Sequence, residues 1–232
     1  MLERSLTALL LAGIGLAVAT AVRAAEPVTF TVTITNVSTN ETLKLPDGST
    51  TNVPVAPGVF VVGSQPNALF VPGEFASEAL ERLAEDGNFE PLLEQMKLRK
   101  NLTDVGMFVP GQTFTITAKP GDRLSFAAMF VQSNDLFFAP MDGGIALFDK
   151  GGRANMGNWT SRVELYDAGT EINQAPGAGP DQAPRQAKPN TGASEHEPIA
   201  PVANRQDGFT YPAVSAVIEL GIKPAVAKKP QS

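Results

Sequence analysis

The chain has 232 residues, room for one large or two small domains, and a hydrophobic content of 43% supports a real core. It contains no cysteine, which excludes both a disulfide-stapled fold and a cysteine nucleophile. A net charge of −6 and a pI near 4.9 argue against the basic footprint of a nucleic-acid binder and are compatible with cation binding without showing it.

Residues 1–24 read as a secretory signal peptide. Arg4 gives a short basic start, Leu6 to Ala21 is an apolar run, and Val22-Arg23-Ala24 places small or apolar residues where a signal peptidase reads, with cleavage expected after Ala24. The run is short for a membrane span and is softened by Gly13, Gly15 and Thr20. No later stretch is long enough to cross a bilayer, so the expectation is a mature protein with no transmembrane segment, secreted or periplasmic.

Phe30 to Val37 alternates apolar residues with Thr and predicts a half-buried strand. Turns follow at 36–40 and at Pro46-Asp47-Gly48-Ser49. Val53 to Val62 is an apolar run broken by Pro54 and Pro57, which suits a loop or an edge strand. From Glu74, the spacing of Phe75, Ala79, Leu80, Leu83 and Ala84 predicts a helix ended by Gly87. A second short helix is expected from Asn88 as N-cap, through Pro91, to about Met96. The pair reads as a helical insertion over one open end of a sandwich, with a partner-binding helix as the alternative. Phe114 to Ala118 and Leu124 to Val131 read as strands joined by a turn at 119–122. Gln174 to Val202 is rich in Pro, Gly, Ala, Gln and Asn and reads as a long loop that buries little. Phe209 to Ile222 reads as the closing strand and 227–232 as a frayed tail. Short strands, Gly/Pro turns and one helical interruption predict an all-β, antiparallel sandwich over 25–226.

The stretch from Phe126 to Asn173 carries the most chemistry. Its apolar runs, Phe126 to Val131, Ile145 to Phe148 and Val163 to Tyr166, end in polar turns that bear Asp135, Asp167 and Glu171. Carboxylates on turns at strand ends are one way in which a β-sandwich holds a hard cation. Asp167 and Glu171 lie four apart across a Gly-containing turn, and both side chains could face one ion. Asp-Ala-Gly-Thr is also an ordinary turn in which Asp caps its own backbone. Asn173 and Asp181 lie nearby. Asp142 and Asp149 flank a Gly-rich turn and read as solvated hairpin residues. Trp159 reads as core or near-core packing. His196, between Glu195 and Glu197, reads as a solvated loop histidine, since a lone His with no Cys makes a poor zinc site.

Three segments together resemble the spondin N-terminal domain family. Ser133-Asn134-Asp135-Leu136-Phe137-Phe138 is similar to its S-P-D-W-F segment. Leu165-Tyr166-Asp167-Ala168-Gly169-Thr170-Glu171 is similar to its L-Y-(P-x)-D-A-G-T-D/E segment. Phe75 to Gly87 is similar to its A-S-x-G-L-x-x-L-A-E-x-G helix. Asn134 and Leu136 stand where animal members have Pro and Trp, the two-residue insert is missing, and so are the animal cysteines. The resemblance covers roughly 28–222. It implies a C2-like sandwich and a calcium ion held by Asp135, Asp167 and Glu171. It also implies a role in adhesion or recognition at the cell envelope or extracellular matrix, toward a carbohydrate, lipid or protein ligand. No nucleophile elbow or zinc-protease motif is present, so a non-enzymatic role is expected. The alternative is an envelope enzyme such as a calcium-dependent glycan hydrolase, since paired carboxylates also act on sugars.

Overall fold

The computed structural model describes residues 26–225. The expected signal peptide and the expected tail therefore lie outside the described residues. In chain order the strands are β1 (Val28–Asn36), β2 (Leu43–Lys44), β3 (Thr50–Thr51), β4 (Gly58–Gly63), β5 (Asp104–Phe108), β6 (Thr113–Ala118) and β7 (Arg123–Met129). They continue with β8 (Leu136–Pro140), β9 (Ile145–Ala146), β10 (Gly157–Asn158), β11 (Val163–Asp167), β12 (Ala200–Pro201) and β13 (Ile218–Pro224). Helices α1 (Glu78–Asp86) and α2 (Glu90–Lys97) interrupt them after β4, and α3 (Val214–Val217) is a single turn before β13.

The fold is an all-β antiparallel sandwich, as expected. One sheet has four strands in the order β10-β13-β1-β6. The facing sheet runs β12-β11-β8-β7-β4-β5, with β9 beside β7. In β1, Phe30, Val32 and Ile34 are fully buried while the intervening Thr residues are not, which is the alternation read from sequence. The inter-sheet core is dominated by phenylalanine. Phe108 meets Phe126 edge-to-face at 5.7 Å, and Phe30 meets Phe148 edge-to-face at 5.4 Å. Each fully buried Phe contributes about 1.5–3 kcal/mol over an exposed one.

The larger sheet is covered on both faces. Val59 and Val61 of β4 pack beneath Leu80, Leu83, Leu92 and Met96 of the helices, while Phe60 and Val62 point into the inter-sheet core. The helices thus lie on the outer face of this sheet rather than over an open end of the sandwich, and the molecule has three layers at this point. Burial on both faces also corrects the reading of 53–62. All six residues of β4 are buried, and the strand sits between β5 and β7 in the interior of its sheet. Pro54 and Pro57 precede it and so cost no ladder hydrogen bond.

The helix ends follow their local chemistry. Ser77 caps α1 by accepting from the Leu80 N–H at 3.3 Å. Gly87 ends it at φ 69°, its N–H bonded to the Leu83 carbonyl as in an αL cap, and the Asn88 N–H reaches the carbonyl of Arg82. The N-cap of α2 is Phe89, with no side-chain cap, rather than Asn88; Pro91 supplies the first turn. The closing strand is shorter than its alternation suggests. Val214 and Ala216 belong to α3, and the strand starts at Ile218, where Ile218, Leu220 and Ile222 turn into the core. Among the described residues no helix is long and apolar enough to cross a membrane.

Candidate cation site

Antiparallel pairing brings the acidic turns together. Leu136 at the start of β8 lies opposite Asp167 at the end of β11, so Asp135, one residue earlier, arrives at the same end of the sheet. The turn that delivers it is closed by Ser133, whose hydroxyl donates to the Phe130 carbonyl at 2.6 Å and accepts from the Leu136 N–H at 3.0 Å.

Asp135 is completely buried. Its Oδ2 accepts from the Thr170 N–H at 2.8 Å, the Thr170 hydroxyl at 3.2 Å and the Glu171 N–H at 3.1 Å. Its Oδ1 is equally buried and has no hydrogen-bond partner. Burial first, and then the neighbouring charge of Asp167, push the Asp135 carboxyl up to about 7, against the pull of the three donors.

Asp167 is also completely buried but fully engaged. Oδ1 accepts from the Gly169 N–H at 2.7 Å and from the Arg205 guanidinium at 2.9 Å, and Oδ2 accepts from the Asn173 amide at 2.6 Å. Gly169 itself is at φ 70°, and a Cβ there would run into the Glu197 carbonyl oxygen, so this turn requires glycine.

Glu171, the third expected ligand, is brought to the same loop but its carboxylate is turned elsewhere. One oxygen accepts from the Asn134 amide at 3.1 Å and the other from the Gly192 N–H at 2.9 Å. Burial raises its pKa. Asn134 in addition accepts from the Gln174 N–H at 3.1 Å. Asn134 thus ties the Glu171 side chain to the backbone of Gln174. Among the described residues, no three His, Cys, Asp or Glu side chains are gathered to hold a metal ion as they stand.

Two further residues of this end escaped the sequence reading. Glu85, in the last turn of α1, is only 4% exposed; burial pushes its carboxyl up to about 8, with the Thr170 side chain as hydrogen-bond partner and the charges of Glu171 and Asp135 nearby. Thr170 therefore links the helical layer to Asp135. Arg205 is the cation of the site, 17% exposed at its side chain, and its NH2 group also donates to the Pro198 carbonyl at 2.8 Å. Glu85 lies in the helix segment singled out above, but its place in the site, like that of Arg205, is set only by the fold.

The remaining candidates fall into place more simply. Asp181 bonds to the Gln174 side chain and backbone. Asp149 caps its own turn through the Gly151 and Arg153 N–H groups, and Asp142 pairs with Arg162 at the surface. His196 is exposed and stacks on Phe75 with ring centroids 4.2 Å apart. Trp159 packs against the inter-sheet core. The segment 174–202 is irregular up to β12, which the loop reading did not include, and it is pinned. Gln182 is fully buried and donates to the Gln174 and Ala175 carbonyls, Arg185 bonds to Gly179, Gln132 and Gln182, and Ile199 enters the helix-side core. Polar contacts do there what aliphatic residues do elsewhere.

No protein-family model matches this sequence, and no curated protein matches it.

Proposed function

We propose that this chain is a calcium-binding β-sandwich module of the spondin type, exported to the envelope or extracellular space, where it serves adhesion or recognition rather than catalysis. The observation that carries the reading is Asp135 Oδ1, a fully buried carboxylate oxygen without a partner beside a second fully buried carboxylate, Asp167. Leaving such an oxygen unsatisfied is costly, and a hard cation is the partner that suits it.

The donor set fits calcium in kind: carboxylate oxygens on loops at strand ends, with neither sulfur nor imidazole among them. Asp135 and Asp167 would hold the ion. Glu171 would join them only by leaving Asn134 and Gly192. Calcium prefers six to eight oxygens, so backbone carbonyls and water would complete the shell. The ion would neutralise the two buried acids and brace the loops that carry them. Complete burial of both aspartates supports an ion-holding role over one in which they meet a glycan, which favours the binding module over a hydrolase. Its ligand would be a carbohydrate, lipid or protein of the cell surface.

Titration calorimetry with melting curves tests this. Extracellular modules bind calcium at roughly 10⁻⁴–10⁻³ M. Calcium at ten times Kd should then stabilise the fold by about 1.4 kcal/mol, raising Tm by about 3–6 °C. Magnesium should do less, because its rigid octahedral shell suits a loop-built site poorly. Absence of heat at millimolar calcium, together with a Tm indifferent to chelator, would overturn the proposal.

A further inference from the structure

Arg205 makes the only ion pair with a fully buried acid among the described residues. The pair is imperfect. Both bonds of Arg205, to Asp167 and to the Pro198 carbonyl, leave from one terminal nitrogen, and its Nε is buried with no partner. Arg205 also borders a cleft of about 510 Å³ between Val163–Leu165 and the 202–214 segment. Asp207, half-buried and already an acceptor for the Tyr211 hydroxyl, borders the same cleft. The guanidinium therefore borders open space that a second acid, Asp207, also lines.

We propose that Arg205 is a built-in counter-ion that occupies Asp167 in the ion-free fold, competes with calcium for it, and so sets the affinity of the site. This rests on the calcium reading above and adds to it the residue that tunes the ion. A fixed positive charge on the shared ligand opposes a divalent ion by direct repulsion and by holding the Asp167 oxygen in a hydrogen bond. Calcium binding must displace or weaken that bond, and the cleft beside Arg205 gives the guanidinium room to move. Removing the charge leaves Asp167 unpaired until calcium arrives, so the variant should be less stable without the ion and bind it more tightly. A purely structural arginine gives the opposite second result, since loosened loops bind calcium more weakly.

The test is calorimetry and melting of full-length protein with calcium chloride, for wild type, Arg205→Gln and Arg162→Gln. Arg162→Gln removes the same charge from a surface pair with Asp142, outside the site. Arg205→Gln should lower Tm in chelator and tighten calcium Kd by about tenfold, while Arg162→Gln should leave Kd within about twofold. If Arg205→Gln does not fold, the wild-type Arg205 Nε–H resonance gives the answer, since calcium should shift it while magnesium at the same concentration shifts it less. Calcium binding in wild type that is unchanged or weakened in Arg205→Gln, or an Arg205 signal that ignores calcium, overturns this inference and leaves the calcium site standing. No calcium binding in either protein overturns both.

Discussion

Two turn aspartates in this molecule have opposite surroundings. Asp149 lies in a Gly-rich turn at the surface, and its carboxylate is satisfied within that turn by the Gly151 and Arg153 N–H groups and the Arg153 side chain. These bonds, the Arg153 N–H foremost, hold its pKa below the usual carboxylate range. Asp135 also accepts backbone N–H bonds, but from a loop thirty-five residues away, and its other oxygen is sealed off without a partner. Its pKa moves upward instead. A turn acid in water is its own small structure, whereas a turn acid under a helical layer depends on whatever long-range neighbour arrives. Buried, unfinished coordination rather than acid spacing marks the second as a candidate site.

Substituting the two acids breaks the comparison most strongly. Asp135→Ala strips the acceptor from three donors, and we expect a loss of about 3 kcal/mol of unfolding free energy. Asp149→Ala should move Tm by no more than about 2 °C. Denaturant melts of both variants check this, and equal effects would mean that burial does not separate them.

A similarly large effect should come from pH. Between about pH 4, where unfolded Asp and Glu titrate, and the folded values of about 7 for Asp135 and about 8 for Glu85, the native state holds protons that the unfolded chain has released. Raised folded pKa values make stability fall as pH rises through that window. In chelator, Tm should drop on the order of 10 °C between pH 5 and pH 8. On the proposed calcium reading the ion should flatten the curve, because it would take the place of the proton on Asp135. A calcium-free Tm that rises over this range would contradict the burial argument.

Asp135→Asn sharpens the sign. It replaces the unpartnered Oδ1 with an N–H donor in a field made negative by Asp167. Without calcium at pH 8 it should be more stable than wild type by about 1–2 kcal/mol, while losing the calcium response. Asp167→Asn acts on the second buried carboxylate. That variant should keep the fold and lose most of the few-degree calcium shift in Tm, read by melting with and without the ion.

Much of the fold was legible in the sequence because its signals are local. The Thr alternation of β1, the Gly87 helix end and the Asp149 turn each follow from residues within a few positions of one another. The layering was not legible. Val59 and Val61 face helices and Phe60 and Val62 face the other sheet, so β4 shows no alternation, and the prolines before it pointed to an edge.

The sequence by itself determined where strands, turns and acids lie, because side-chain period, glycine conformation and capping are properties of neighbouring residues. It put Asp135, Asp167 and Glu171 on turns at strand ends, and the antiparallel pairing of β8 with β11 brought those ends together. Only the tertiary structure decided what those acids meet. It turned the Glu171 carboxylate to Asn134 and Gly192, laid Glu85 of α1 against Thr170, and brought Arg205 to Asp167 across thirty-eight residues of chain. The reason is physical: an acid's charge state depends on the desolvation and partners around it, and in a non-local β-fold those come from chain segments that no local pattern connects.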